Sequence, residues 1–336
     1  MKEFIRKVSE RTHLSREEAS DAMRKIMDGE ATEAQIAGLL MALKLKGEHA
    51  DELLGFVQVM RERSIKISID DPDAVDLCGT GGDAMGTFNI STVAAFVVAG
   101  AGATVAKHGN RSISSACGSA DVLSALCVNI EIRPERVQDC INAIGIGFLF
   151  APMFHPAMRH AGKPRSELGV KTCFNLLGPL TNPAGVRRQL VGAFSEDAAR
   201  SIAEVFSRLN SERVLVVHGR DGLDEVSLGA PTTVFDVPGP PASGQYDLDP
   251  GLFGLTPASR SEVAGGTAPV NAEIAVKILD GERSPHRDFV LANASLGLMA
   301  AGKVRTVREG VELAAESIDS GRARKKLETL REFTAR

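Results

Sequence analysis

The stretch Asp76 to Thr92, DLCGTGGDAMGTFNIST, gathers residue types that can hold an anion. Gly79, Gly81 and Gly82 stand close together around Thr80, just ahead of Asp83. Glycines there let the backbone take positive φ and let a ligand approach the main chain closely. Successive N–H groups in such a turn converge on an anion. Asn89, Ser91 and Thr92 follow, all helix-capping types. Val93 to Val98 then reads as a buried helix, whose positive end would face the same anion. Val75, Leu77 and Cys78 fit the end of a parallel strand. The turn matches neither the Walker A pattern nor the dinucleotide fingerprint. Alone, it fits a plain strand-to-helix connection as well as a phosphate site.

Three more clusters carry chemistry. Lys107-His108-Gly109-Asn110-Arg111 runs on through Ser112, Ser114 and Ser115 after the strand Ala103–Ala106. Its two cations suit phosphate through charge-assisted hydrogen bonds, though a solvated basic loop would read the same. Gly118-Ser119-Ala120-Asp121 offers a helix start, with Ser119 or Asp121 as cap. His218 to Glu225 carries Asp221, Asp224 and Glu225 behind the strand Val214–Val217. Carboxylates in a strand-end loop suit Mg²⁺, which keeps several waters and bridges one or two carboxylates to phosphates. A solvated acidic turn is the other reading. Finally, His155, Arg159, His160, Lys163 and Arg165 form a basic rim beside apolar groups, which suits an aromatic or apolar acid. No Ser/His/Asp or Cys/His triad is recognisable.

These clusters need a scaffold. Residues 1 to about 65 read as four helices, with capping boxes at Ser15–Glu18 and Thr32–Gln35 and glycines 29 and 47 near helix ends. Ile36, Leu39, Leu40, Leu43 and Leu45 give the third helix a broad apolar face, suited to a core or a second subunit. From about residue 73 strands and helices alternate. Strands are predicted at 74–78, 103–107, 128–132, 146–150, 190–194, 213–218 and 232–237, with helices including 119–126, 134–144 and 196–209. Alternation of this kind builds a mostly parallel sheet covered on both faces, with ligands beyond the carboxyl ends of the strands. The fold class is therefore α/β: a small helical domain over 1–68, joined by helices from about 154–185, and a larger α/β domain over 69–336. Pro238 to Gly244 reads as a surface loop, the chain from 268 onward as helical, and Arg322, Arg324, Lys325 and Lys326 as a solvated helix face.

Of the 336 residues 43% are hydrophobic and 24% charged, which is ordinary for a soluble globular chain. A net charge of −4 gives no drive toward nucleic acid or an anionic membrane. Five scattered cysteines without a CxxC pair read as reduced residues of a cytoplasmic protein. There is no signal-peptide core and no membrane-spanning run.

GTGGD, NIST, KHGNR, GSAD, FNLLGPLTNPA and DGLDE, in this order, resemble the anthranilate phosphoribosyltransferase family of tryptophan biosynthesis. The resemblance covers nearly the whole chain. It implies transfer of the phosphoribosyl group of 5-phosphoribosyl 1-pyrophosphate (PRPP) to the amine of anthranilate, and a homodimer formed through the helical domain. Carried over by motif, Gly79, Gly82, Asp83, Thr87, Asn89, Ile90, Ser91, Thr92, Lys107, Ser115 and Ser119 would hold PRPP. Two Mg²⁺ ions would sit at Ser91 and at Asp224 with Glu225. Asn110 and Arg165 would hold anthranilate, in a pocket shaped by Gly79, His108, His155 and Gly178. No side chain is expected to be an essential general base. Two departures stand out: Ala116-Cys117, where the family often has a basic residue and then Ser or Ala, and Lys171, where Arg is common. A pyrimidine nucleoside phosphorylase and a non-catalytic nucleic-acid-binding relative remain as alternatives.

Overall fold

Four helices open the chain: α1 (Lys2–Ser9), α2 (Arg16–Met27), α3 (Glu33–Lys46) and α4 (Ala50–Arg63). The computed structural model describes residues 1–81, 86–112, 117–237 and 244–335. Both predicted capping boxes form: Ser15 and Glu18 exchange side-chain-to-backbone bonds, as do Thr32 and Gln35. Gly47 ends α3 at φ 88°, where a Cβ would be strained. Ile36, Leu39, Leu40 and Leu43 are buried, but Leu45 is 75% exposed. Two residues past Leu43, it lies roughly 200° around the helix and leaves the predicted face.

The sheet holds β1 (Val75–Gly79), β2 (Val105–Gly109), β3 (Ile146–Phe150), β4 (Arg188–Gly192), β5 (Arg213–Gly219), β6 (Thr232–Val237) and β7 (Gln245–Leu248), in the order β3-β2-β1-β4-β5-β6-β7. The first five in that order run parallel; β6 and β7 are antiparallel at one edge. The chain walks outward from β1 to β3, then returns to the other side of β1 as β4. Strand order thus reverses between β1 and β4, which opens a crevice beyond their carboxyl ends.

Three sequence expectations need correction. The strands expected at 103–107 and 190–194 lie two residues away, at 105–109 and 188–192. Residues 128–132 form no strand, although Val128 and Ile130 are buried. Their N–H groups are taken up locally and by the last helix: Val128 donates to the Leu123 carbonyl and Asn129 to Thr334 Oγ1. Alternating burial there comes from packing without a ladder. The edge strand β7 has no counterpart among the expected strands; the loop expected at 238–244 falls, but for Gly244, outside the described residues.

Helices cover both sheet faces: α5 (Ile90–Gly100), α6 (Ser119–Ala125), α7 (Pro134–Ile144), α8 (Ala151–Phe154), α9 (Arg159–Leu168), α10 (Cys173–Leu177), α11 (Glu196–Ser207), α12 (Ala268–Leu279), α13 (Pro285–Ala300), α14 (Val307–Asp319) and α15 (Arg322–Thr334). The strands alternate faces as a pleat must. Leu77, Leu215 and Val217 join a core with α5, α13, α14 and α15. Cys78, Val214 and Val216 point the other way and share a core with α11 and the N-terminal helices. In addition α9 packs on α3, and α10 on α4. On α15, Arg322 and Lys325 are exposed, but Lys326 Nζ donates to the Ile144 carbonyl at the end of α7, so that basic face is only partly solvated. The five cysteines are free, and all but Cys127 are buried. No helix among the described residues is long and apolar enough to cross a membrane.

Candidate active site

The site grows from the carboxyl ends of β1, β2, β4 and β5. β1 ends at Gly79, and α5 starts at Ile90 with Asn89 as its N-cap residue. The Asn89 side chain makes no cap bond. The carboxylate of Glu225, from the loop after β5, takes that role: Ser91 N–H donates to Glu225 Oε1 at 3.2 Å. Neighbouring Asp224 reaches β1, its Oδ2 lying 3.6 Å from where a Cβ on Gly79 would stand. Its own carbonyl fills the space a Cβ on Gly192 would need, so the end of β4 admits only glycine beside this loop. Among the described residues no group of three or more His, Cys, Asp or Glu side chains is arranged to hold a metal.

Lys107, on β2, is 4% exposed. Its Nζ donates to the Leu77 carbonyl and to Ser91 Oγ, under the start of α5. Burial lowers its pKa, and the carboxylates of Asp76 and Glu225 oppose that shift. Asp76 is wholly buried beneath the site. It accepts from the His108 N–H at 3.1 Å and from Asn182 Nδ2 at 2.8 Å, tying β1 to β2 and to the segment after α10. Burial raises its carboxyl pKa against the pull of Lys107.

The acceptor side is built on α9 and α10. The Arg165 guanidinium lies 4.9 Å from the centre of the Phe174 ring, and burial lowers its pKa. His108 and His155 are buried with ring centroids 5.3 Å apart. His108 bonds to the backbone at Gly178 and His155 to that at Thr181; each Nε2 is buried without a protein partner. Burial, with the neighbouring His155, lowers the His108 pKa to about 3; burial lowers that of His155 to about 4. Both rings are neutral at physiological pH.

One cavity of about 700 Å³ brings these parts together. Gly79, Thr87, Asn89, Ile90, Ser91, Thr92, Lys107, Asn110, Ser119, Asp224 and Glu225 line it with His108, His155, Arg165 and Gly178. Gly82, Asp83 and Ser115, and the departure at Ala116, lie outside the described residues. Two expectations shift. The N-cap of α6 is Gly118; Asp121 sits inside the helix and accepts the Gly118 N–H, as a third-position carboxylate can. Arg111 also lines the cavity, but it is already engaged by Asp121 at 3.0 Å and Glu131 at 3.6 Å. Sequence reasoning missed Asp76 as a bracket and missed Gly265 and Gly266 as cavity walls. A single buried Asp in a strand, and a Gly pair ahead of a distant helix, carry no periodic signal.

A sequence model described as the glycosyl transferase family, helical bundle domain, matches residues 2–64, and one described as the glycosyl transferase family, a/b domain, matches residues 71–324. An anthranilate phosphoribosyltransferase from Pelotomaculum thermopropionicum is 53% identical, over 99% of this chain and 96% of its own. The chain belongs to the anthranilate phosphoribosyltransferase family. The crystal structure of anthranilate phosphoribosyltransferase from Thermus thermophilus superposes with a TM-score of 0.93 at 44% identity, covering 99% of both chains. The Saccharomyces cerevisiae enzyme in complex with PRPP and Mg superposes at 0.89, with 28% identity over 96% of this chain and 94% of that one. Of the departures noted in the sequence, Lys171 places its Nζ 4.0 Å from the Phe194 ring centroid. Cys117 is buried, and its backbone carbonyl accepts from Asn89 Nδ2.

Proposed function

We propose that this cavity transfers the phosphoribosyl group of PRPP to anthranilate, giving N-(5-phosphoribosyl)anthranilate and pyrophosphate. The observation that carries the reading is the cavity's two-sided character. Carboxylates, Lys107 and the start of α5 line one side, and the Arg165–Phe174 stack with two neutral histidines lines the other. The first side takes the diphosphate and ribose: Gly79, Thr87, Asn89, Ile90, Ser91, Thr92, Lys107 and Ser119, with Gly82, Asp83 and Ser115 from outside the described residues. The second takes anthranilate: Arg165 grips its carboxylate with a planar fork, and Asn110, His108, His155, Gly79 and Gly178 bound it.

Mg²⁺ fits the donor set. Glu225 already reaches the amino end of α5 and Asp224 reaches Gly79, so two carboxylates and the Ser91 hydroxyl surround the diphosphate side. Fewer than three protein carboxylates is what an ion completing its shell from water and substrate phosphates requires. Two ions are proposed, at Ser91 and at Asp224–Glu225. Bound Mg²⁺ would stabilise the negative charge growing on the departing pyrophosphate.

In the transfer, the C1–N bond forms as the C1–O bond to pyrophosphate breaks, and pyrophosphate leaves with the electron pair. The arylamine is unprotonated at neutral pH, so its proton leaves after attack and no side chain serves as an essential base. Positioning in such a site can lower the barrier by about 7–11 kcal/mol. The chain is proposed to act in the cytoplasm as a homodimer through its helical domain, where Leu45 is exposed on α3. The phosphorylase and nucleic-acid-binding alternatives gain no support, since the relatives quoted are all anthranilate phosphoribosyltransferases. PRPP- and Mg²⁺-dependent loss of anthranilate fluorescence tests the reading.

A further inference from the structure

Asn271 stands in the first turn of α12, 2% exposed and 182 residues from Asn89, which it contacts. Three hydrogen bonds run in series. The Gly266 N–H donates to Asn271 Oδ1 at 2.7 Å, Asn271 Nδ2 donates to Asn89 Oδ1 at 3.0 Å, and Asn89 Nδ2 donates to the Cys117 carbonyl at 3.1 Å. The direction of this relay is fixed at both ends by the backbone. An N–H can only donate and a carbonyl can only accept, so both amides have one permitted orientation.

The relay has backbone support beside it. Gly265 N–H donates to the Gly86 carbonyl at 2.8 Å, Thr87 bridges to Ala264, and His286 stacks edge-on against Phe88 at 5.0 Å. A Cβ on Gly265 would come within 2.8 Å of Asn271 Oδ1 and 2.6 Å of the Phe88 nitrogen. Segment 263–266 is therefore pressed against the entry to α5. Both polar ends of the Asn89 side chain are anchored inside the protein, which leaves the second Nδ2 hydrogen and the backbone as the parts able to meet an anion.

We infer that Asn271 is a positioning residue for the PRPP side of the cavity: through Asn89 and Cys117 it locks the amino end of α5 to the base of α6. The inference rests on the function proposed above. It assigns to α12, which holds no predicted ligand, control over the geometry of the diphosphate subsite, with the anthranilate subsite touched only through the Asn110 carbonyl at the base of α6. Removing one partner of a buried bond leaves the other donor or acceptor desolvated and unpaired, which destabilises the arrangement it held.

The test is steady-state kinetics of Asn271→Ala, Asn89→Ala and the double variant, with both substrates varied and thermal melting measured alongside. The expected result is an apparent KM for PRPP raised about tenfold in Asn271→Ala, a scale set by one lost buried bond. The KM for anthranilate should stay within about twofold, and the double variant should match the worse single one, as residues of one network do. If Asn271→Ala fails to fold, Asn271→Ser keeps an acceptor for Gly266 and should show the same split in smaller measure. Equal rises in both KM values, an unchanged PRPP KM, or effects that multiply in the double variant would overturn the inference. A wild-type protein without PRPP-dependent turnover would overturn the functional reading itself, and is distinguishable because it needs no variant.

Discussion

Ser91 N–H donates to Glu225 Oε1 across 3.2 Å, joining residues 134 positions apart in the chain. A helix start carries unsatisfied N–H groups and a positive dipole end. Here a carboxylate from another strand-end loop satisfies one of them. An arriving pyrophosphate would bring like charge to Glu225, and a bridging cation removes that conflict. Asp224→Asn with Glu225→Gln keeps acceptor oxygens but removes both charges. Turnover should fall by about 100-fold, the scale of several kcal/mol of lost charge stabilisation, and the Mg²⁺ concentration for half-maximal rate should rise. Rate against Mg²⁺, with circular dichroism as a fold control, checks this; wild-type metal dependence would remove the assignment.

Arg165 offers a planar fork and lies over Phe174. Lysine reproduces neither the fork nor the stack. Arg165→Lys should raise the KM for anthranilate roughly tenfold, about 1.4 kcal/mol, and that for PRPP much less. Equal changes in both would mark a general structural role.

His108 and His155 take up protons in the folded state only near pH 3 and 4, against an ordinary value of 6.5. The unfolded chain therefore binds these protons first as pH falls. Their contribution to stability is whole above about pH 6.5 and is lost as pH drops toward 4 for His155 and toward 3 for His108. Melting temperature should decline over that window, less steeply in His108→Asn and His155→Asn. Neither variant should lose as much turnover as the upper end of the about 10²–10⁴-fold range for general-base catalysis. Abolition of the chemical step in one single variant, with both substrates still bound, would make that histidine a base.

Gly192 abuts the carbonyl of Asp224. In Gly192→Ala the new methyl must displace the 224–225 loop. Overpacking of this kind costs about 1–3 kcal/mol. The melting temperature should fall, and the Mg²⁺ requirement should rise because both carboxylates move together. A lowered melting temperature with unchanged metal dependence would show that the loop relaxes without them.

Much of the architecture is legible because it rests on local pattern. Ser15–Glu18 and Thr32–Gln35 announce their helices through caps. The apolar runs at 146–150 and 232–237 become strands at those positions. Residues 128–132 mislead because Val128 and Ile130 alternate in burial while Asn129 bonds to Thr334, a partner supplied 205 residues later. The motif-bearing turns were legible as chemistry; their convergence depends on strand order, which periodicity does not encode. Asp76 and Asn271 stayed hidden because their roles lie wholly in partners distant in the chain.

The most direct measurement is the rate of anthranilate fluorescence loss with PRPP and Mg²⁺, run beside thymidine phosphorolysis on the same preparation. The expected result is anthranilate consumption that requires both PRPP and Mg²⁺, releases one pyrophosphate per anthranilate, and is accompanied by no phosphorolysis. Thymidine cleavage by phosphate without anthranilate consumption would contradict the proposed function.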